Sequence, residues 1–584
     1  MNTVEATTLT LAVFSVAGIL PALAIVGPSG STLALAILIG AVETGVAGAF
    51  SLAVAWSTLP WFCIIAVVGM LASFVILIQK RRHRPVFNGG SSHLRTLRHC
   101  LPQAAVFAVL SLTLVWCLVP LRVPSVGWDA RAIWLLRASW FVRGHDFLLV
   151  AFRSPAAVIA HASYPPLIST AVASSWQLTG NHTERLGVVI VALLNASATM
   201  ATSWVMVEAG RNVGRRKGPD KGGSFAEVAG IVCAVLFVLV TFGVFGPFST
   251  NGYADPLWSV AAVGAIGYGL ILPPNRKNLG AAAILLAVSG LTKTEGTATA
   301  IVLTILITLR ASGFTLRNLR QDQSVSGIMP RRELDLRRAA RVNWRRVVTG
   351  ATGVVCLSLW PILARLEHAT KDVNTSGIRQ GTWTSRAHLT LSAIAPHLHV
   401  LLVAVPLALG GGLLLRGHRK QGKLGNDVWA WLGLIGGLSV VVSAYITGPG
   451  NTAFWLLTSV HRTTMFAATA AWLIIAVWAV VAASSAEGAA NSQSLSPVPM
   501  TTLDPSVSTE PSGRYLKPLG GIGVIAGSHN LPGLDLASGG PRGIDVLIMP
   551  SSSRSPVCSG DPVGINVYAA GTKGADCSAP AQFL

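Results

Sequence analysis

Long apolar runs separated by clusters of Lys and Arg set what this chain can fold into. A hydrocarbon core about 30 Å thick asks for roughly 20 apolar residues per helical crossing. Three runs of that length come first, at 7–26, 33–56 and 60–79, and KRRHR (Lys80 to Arg84) follows them. No basic segment precedes Leu9 to Val26, so the first run reads as a span and not as a cleaved signal. Hydrophobic residues make up 52% of the chain and charged residues 11%, with a mean hydropathy of +0.59, whereas soluble domains carry roughly a quarter charged residues. The expected fold is an all-α polytopic membrane protein.

The net charge of +21 would suggest nucleic acid in a soluble protein. Here Lys and Arg gather between spans, as the positive-inside rule requires, so no nucleic-acid partner is expected. Seven Cys are scattered without a CxxC pair, which argues against a disulfide framework or a Cys-rich zinc site.

Taken in order, KRRHR and HLRTLRH (His93 to His99) are expected on the cytoplasmic side, and Leu101 to Leu121 crosses outward. Gly127 to Leu167 follows. Asp129, Arg131, Arg137, Arg143, His145, Asp146 and Arg153 are too many charges for a span, and Trp128, Ile133, Trp134, Trp140 and Phe141 are too apolar for a free loop. That mixture suits helices lying at the interface. Tyr164 to Gly180 is apolar but short. If it spans, the basic loop Arg211 to Lys221 falls outside. If it lies in the interface, that loop is cytoplasmic and Asp129 and Asp255 share the outer face, and this second topology is adopted.

Crossings then follow at 186–207, 225–245, 256–272, 279–291, 297–309, 347–365, 400–415, 428–446 and 463–481, which makes about 13 transmembrane helices in all. Five parts are expected: N-terminal helices with a cytoplasmic loop (1–99), a membrane module (100–310), a basic cytoplasmic loop that touches anionic lipid (311–346), C-terminal helices (347–482) and a disordered tail (483–584).

On this topology Asp129, His161, Asp255, Lys293, Glu295 and Arg462 converge on the outer side, and ionisable groups near hydrocarbon are functional candidates by default. Asp129 and Asp255 suit a proton-accepting or metal-holding role, although each also reads as a helix cap. Lys293 reads as a point charge for a phosphate or as half of a local pair with Glu295. Arg462 reads as a phosphate fork or a snorkelling anchor. His161 reads as a proton carrier or a structural residue. Trp128, Tyr164 and Tyr253 flank these positions. No P-loop or GxGxxG motif supplies a nucleotide site. A polyprenyl-phosphate sugar, delivered by the membrane, needs one carboxylate base and cations for the departing phosphate.

The order of these features resembles the GT-C superfamily of membrane glycosyltransferases: Asp129 soon after a span, the segment from Tyr164-Pro165-Pro166-Leu167 to Gly180, then Gly252-Tyr253-Ala254-Asp255-Pro256, Leu291-Thr292-Lys293 and a late Arg462. Protein O-mannosyltransferases and lipid A aminoarabinose transferases belong to that group. The resemblance covers roughly residues 100–310 and extends more weakly to about 482. It implies interfacial helices in a catalytic first outer loop, with Asp129 as the catalytic Asp, Asp255 as the second-loop Asp and Lys293 near the donor phosphate. The chain departs from many relatives with Ala130 after Asp129 and with Ser163-Tyr164 before Pro165. The expected activity is transfer of a sugar from a polyprenyl-phosphate donor to a glycan, lipid or protein acceptor at the outer face of the cell membrane. A divalent metal on Asp129 and Asp255 is possible chemistry for the pair. The rival expectations are a transporter or flippase for an anionic lipid or solute, and a non-enzymatic scaffold.

Overall fold

The structure, a computed structural model, describes residues 1–494 except 55, 83–91, 159, 218–222, 313–331, 370–382, 400, 404–405, 408–426 and 449–451. The described residues are helical and contain no strand. In chain order the helices are α1 (Thr3–Val26), α2 (Ser31–Ala53), α3 (Thr58–Arg82), α4 (Ser92–Cys117), α5 (Leu136–Arg143), α6 (His145–Arg153), α7 (Leu167–Thr179), α8 (Glu184–Lys217), α9 (Gly223–Phe245), α10 (Asp255–Ala265), α11 (Arg276–Thr292), α12 (Thr294–Ala311), α13 (Arg332–Leu366), α14 (Trp383–Ile394), α15 (Asp427–Thr447) and α16 (Thr452–Ser494). Nine segments among the described residues are long and apolar enough to cross a membrane. Asp255–Ile271 and Pro102–Cys117 are shorter apolar helices, and α11 has 17 residues. The protein is therefore an all-α multi-pass membrane protein. Most of the expected span at 400–415, the tail beyond Ser494 and most of the basic loop lie outside the described residues.

Glycines set the closest helix contacts. A side chain at Gly18 of α1 would stand 2.0 Å from the Ala36 carbonyl oxygen of α2, and one at Gly40 would stand 2.5 Å from the Phe14 carbonyl. Gly210 of α8 meets Ala226 O at 2.4 Å in the same sense, and Gly230 of α9 meets Met206 O at 2.6 Å. Lipid tails give apolar helices no hydrophobic reason to associate, so backbone approach at small residues is what holds such pairs. α1 begins on a capping box between Asn2 and Glu5 and stops at Gly27, whose φ of +73° suits glycine.

The two ends of the bundle differ in charge. At one end Lys80 donates to Ala24 O, and buried Glu208 accepts from Lys277 Nζ (2.7 Å) and Trp204 Nε1 (3.2 Å), with Arg211 at 3.7 Å. Arg310 donates to Gly269 O and Ile271 O and so holds the π-helical turn Ile266–Ile271 that ends the α10 segment. At the other end lie Met1, Asn181, Asp129 and Asp255, a helix length away from Lys277 along α10.

Tyr164 to Gly180 holds α7, 13 residues or about 20 Å at the helical rise, and almost every one is buried by neighbouring helices. Its start meets Gly45 of α2, Thr10 and Ser175 are bonded at 2.8 Å, and Asn181 just beyond it reaches Met1 O. Short length and apolarity look the same for an interfacial helix and a helix enclosed by protein. Two expectations are corrected. The last span does not start at Thr463, because α16 starts at Thr452 and puts Arg462 in its third turn. The helix also continues to Ser494, past the expected start of an irregular tail at 483.

Gly18→Leu should separate α1 from α2, since the blocking atom is backbone. Overpacking at such a site costs about 1–3 kcal/mol or more, so the detergent-solubilised variant should unfold several degrees below wild type. Unchanged thermal unfolding would contradict this packing.

Candidate functional site

The candidate site forms where four separated stretches meet at the carboxylate end. The first is the turn before α5. Gly127 N–H donates to Asn251 O at 2.9 Å, and a side chain at Gly127 would strike Tyr253 Cε2 at 2.3 Å. Glycine here therefore lets the first loop close on the second. Residues Ala130–Leu135 form one π-helical turn, and Asp129 precedes it with no side-chain cap bond. This removes the capping reading of Asp129. Its carboxylate instead accepts from Arg462 Nη1 at 2.5 Å. Buried Ala130 lies against Gly252, where even a Cβ would come within 2.7 Å of the Ala130 methyl. The contact explains why Ala, not a long acidic side chain, follows Asp129.

The second stretch is the start of α10. Asp255 is the first helical residue, with Pro256 next, and Ala254 holds the capping position without a side-chain bond. The Asp255 carboxylate is spent on tertiary partners: Lys293 Nζ at 3.0 Å, Arg462 Nη1 at 3.1 Å and Trp258 Nε1 at 3.4 Å. Lys293 is the break between α11 and α12, with extended φ and ψ, and it also pairs with Glu295 at 3.4 Å. The pair with Glu295 thus exists, but the pair with Asp255 is shorter. Arg462, from α16, also donates to Thr458 O. One guanidinium nitrogen therefore joins two carboxylates far apart in sequence, and an ammonium extends the chain to Glu295. Buried ions persist only when paired and hydrogen-bonded in this way.

Aromatic rings enclose the cations. The Arg462 guanidinium lies 4.5 Å from the Tyr253 ring centroid and 5.7 Å from that of Phe248, and Lys293 Nζ lies 5.9 Å from Tyr164. Burial and the neighbouring Asp129 carboxylate push the Tyr253 phenol up from its ordinary value. Tyr164 stacks on His161 at 4.5 Å and on Trp134 at 5.8 Å. His161 has a φ of +47° and also meets Trp455 at 5.9 Å. It belongs to the wall of the site, next to the ring that covers Lys293. Trp128 stands apart at 65% exposed.

The structure thus brings Asp129, Asp255, Lys293, Glu295 and Arg462 into one network, places Tyr253, Tyr164 and His161 around it, and leaves Trp128 outside. The two carboxylates differ in access: the Asp129 side chain is 18% exposed and that of Asp255 is 2%. A divalent metal does not fit this donor set. Arg462 occupies the position between the two carboxylates, and among the described residues no group of three His, Cys, Asp or Glu is placed to hold a metal.

Sequence reasoning passed over Arg137, which it grouped with loop charges. Arg137 is fully buried, donates to Tyr164 O at 2.6 Å and lies 5.6 Å from the Phe152 ring, so it supports the segment that carries Tyr164. It also passed over His461, which neighbours Arg462 and meets His397 at 5.3 Å and Phe248 at 6.5 Å. Adjacency to Arg462 was the one signal for His461. Comparison with known proteins finds no matching family model, curated protein or solved structure.

Removing one member of a buried pair strands the other and costs about 3–5 kcal/mol. Lys293→Met should therefore lower thermal stability strongly, and Lys293→Met with Asp255→Asn should recover part of the loss. Additive losses in that double-mutant cycle would show that the two side chains do not interact.

Proposed function

We propose that the protein is a membrane glycosyltransferase of GT-C type, which moves a sugar from a polyprenyl-phosphate donor to an acceptor hydroxyl or amine at the outer face of the membrane. The observation that carries this reading is the single Arg462 shared by a partly open carboxylate, Asp129, and an enclosed one, Asp255, at the bundle end opposite the basic cluster of Lys80, Arg211, Lys277 and Arg310. Basic residues mark the cytoplasmic side, so the carboxylates face outward. Transport or flipping of an anionic lipid would use the same cations but gives no role to a partly open carboxylate beside a first-loop turn.

The unequal exposure assigns the roles. Asp129 can meet an acceptor and take its proton. Asp255 is closed in by Lys293, Arg462 and Trp258, so it positions the cations and does not touch substrate. Charge balance then links the two half-reactions. Asp129, Asp255 and Glu295 are three carboxylates against the two cations Lys293 and Arg462. A phosphate leaving group arriving with all three ionised would meet an excess of negative charge. When the acceptor's proton passes to Asp129, that carboxylate is neutral and Arg462 has lost one anionic partner. Its guanidinium is then free to receive the phosphate oxygen as the bond from the anomeric carbon to that oxygen breaks. The acceptor attacks from the opposite face, which inverts the anomeric carbon. Tyr253, Phe248 and Tyr164 keep water away from the cations and so strengthen their pull on the leaving group.

The test is release of polyprenyl phosphate from a polyprenyl-phosphate sugar by the protein in lipid nanodiscs. Asp129→Asn should slow turnover by about 10²–10⁴, the usual worth of a general base, with thermal unfolding close to wild type. Full transferase activity in a folded Asp129→Asn protein overturns the reading. Substrate flux across vesicles without sugar transfer would favour the transporter instead.

A further inference from the structure

Between Glu5 and Lys80 the chain contains one Asp, Glu, Lys, Arg or His: Glu43. It stands near the middle of α2, twelve residues from Ser31, so it lies at depth within a span of 23 residues. The side chain is 7% exposed, and Oε2 is buried without a hydrogen-bond partner among the described residues. No described cation pairs with it. The facing bodies of α1 (from Ala6 to Val26) and α3 (from Thr58 to Gln79) carry no other ionisable side chain except the Cys63 thiol, and Lys80 is engaged with Ala24 O. On the other helices beside α2, His145 Nδ1 is bonded to Ser51 O, Glu208 to Lys277, and Lys293 to Asp255, and none of these groups pairs with Glu43.

The carboxyl lies against the backbone of α3 at Gly69. A Cβ added to Gly69 of α3 would lie 3.1 Å from Glu43 Oε1 and 4.0 Å from the ring of Pro21. Phe62, Ala66 and Ser73 share that inward face of α3, while Val67, Val68, Leu71 and Phe74 are exposed on the outward face. Pro21 lacks an N–H, so α1 loses an internal bond at this level and leaves a carbonyl open. The site is separate from the Asp129 network: Gly45 and Gly48 of α2 turn toward Leu167 and Thr170, whereas Glu43 turns toward α3.

An unpaired carboxylate in hydrocarbon is so costly that the group holds a proton instead. We propose that Glu43 is a proton-binding site inside the bilayer, formed between α1, α2 and α3 where Gly69 leaves room for the carboxyl. A metal cation has no donor set there, since no second carboxylate or His accompanies Glu43 among the described residues.

A lipophilic fluorescent carbodiimide tests this on the full-length protein in lipid nanodiscs. The reagent takes the carboxyl proton on nitrogen while the carboxylate oxygen adds to its central carbon. The O-acylisourea then rearranges to a stable N-acylurea, with no leaving group. The expected result is label on the Glu43 peptide at pH about 7, falling at least tenfold only at a higher pH than the ordinary Glu range near 4.3 allows. Glu43→Gln should remove that label, and Gly69→Leu should reduce it severalfold by setting a side chain against Glu43 Oε1. As the isostere of the protonated acid, Glu43→Gln should also unfold thermally with the wild type at pH 7. No label on Glu43 at pH about 7, a midpoint in the ordinary carboxylate range, or a Glu43→Gln protein that unfolds several degrees early would each overturn the proposal. Label unaffected by Gly69→Leu would overturn the placement of the carboxyl against Gly69, and protection of Glu43 by sodium would replace the proton with a metal cation.

Discussion

The bond pattern of Arg462 is the constraint on which the carboxylate end depends. Its Nη1 reaches Asp129 in the first loop and Asp255 at the head of α10, and its ring neighbours come from the second loop. Remove that guanidinium and nothing else on the described chain joins the two carboxylates. Desolvating three carboxylates near hydrocarbon is far too costly without compensating cations. The pairing of Asp255 with Arg462 and Lys293 offsets that cost where burial is deepest, and the aromatic enclosure follows from it. Tyr253 can approach because Gly127 has no side chain, and Gly252 can approach Ala130 for the same reason.

That arrangement needs the helices in fixed registers. Close backbone approach at Gly18, Gly40, Gly210 and Gly230 sets two of the helix pairs. The network of Glu208, Lys277, Trp204 and Arg211 ties α8 to α11 at the opposite end. α7 fills the space between α2, α5 and α8 with buried side chains, and Arg137 anchors the Tyr164 backbone just before it. A rigid scaffold of this kind suits a site whose charges must be placed before any substrate arrives.

Much of this was legible in the sequence because the membrane simplifies the chain. Span length and the grouping of Lys and Arg depend on local composition, so most crossings were readable. Asp129, Asp255, Lys293 and Arg462 stood out because charge is rare beside apolar runs. Their partners were not readable. Arg462 and Asp129 are 333 positions apart, and no periodicity encodes a contact at that separation. The two cations looked like waiting phosphate ligands because the carboxylates that hold them lie on other helices. The environment of α7 was hidden because an apolar stretch of 13 residues satisfies either a lipid interface or a protein interior. Arg137 and Glu43 were hidden in opposite ways, one lost among loop charges and the other inside an apolar run.

The contrast between Asp129 and Asp255 shows how one cation can serve two purposes. Asp255 is enclosed and triply bonded, and it keeps Lys293 and Arg462 in place. Asp129 is partly open and bonded through one oxygen to a nitrogen that Asp255 also uses. Of the two bonds on that nitrogen, the one to Asp129 is the one that faces the more open side. On the proposed reading, proton uptake by Asp129 and anion capture by Arg462 are one event seen from its two sides. A pair of identical enclosed carboxylates would hold the arginine as firmly but could not give it up, and a pair of open ones would leave it exposed to water.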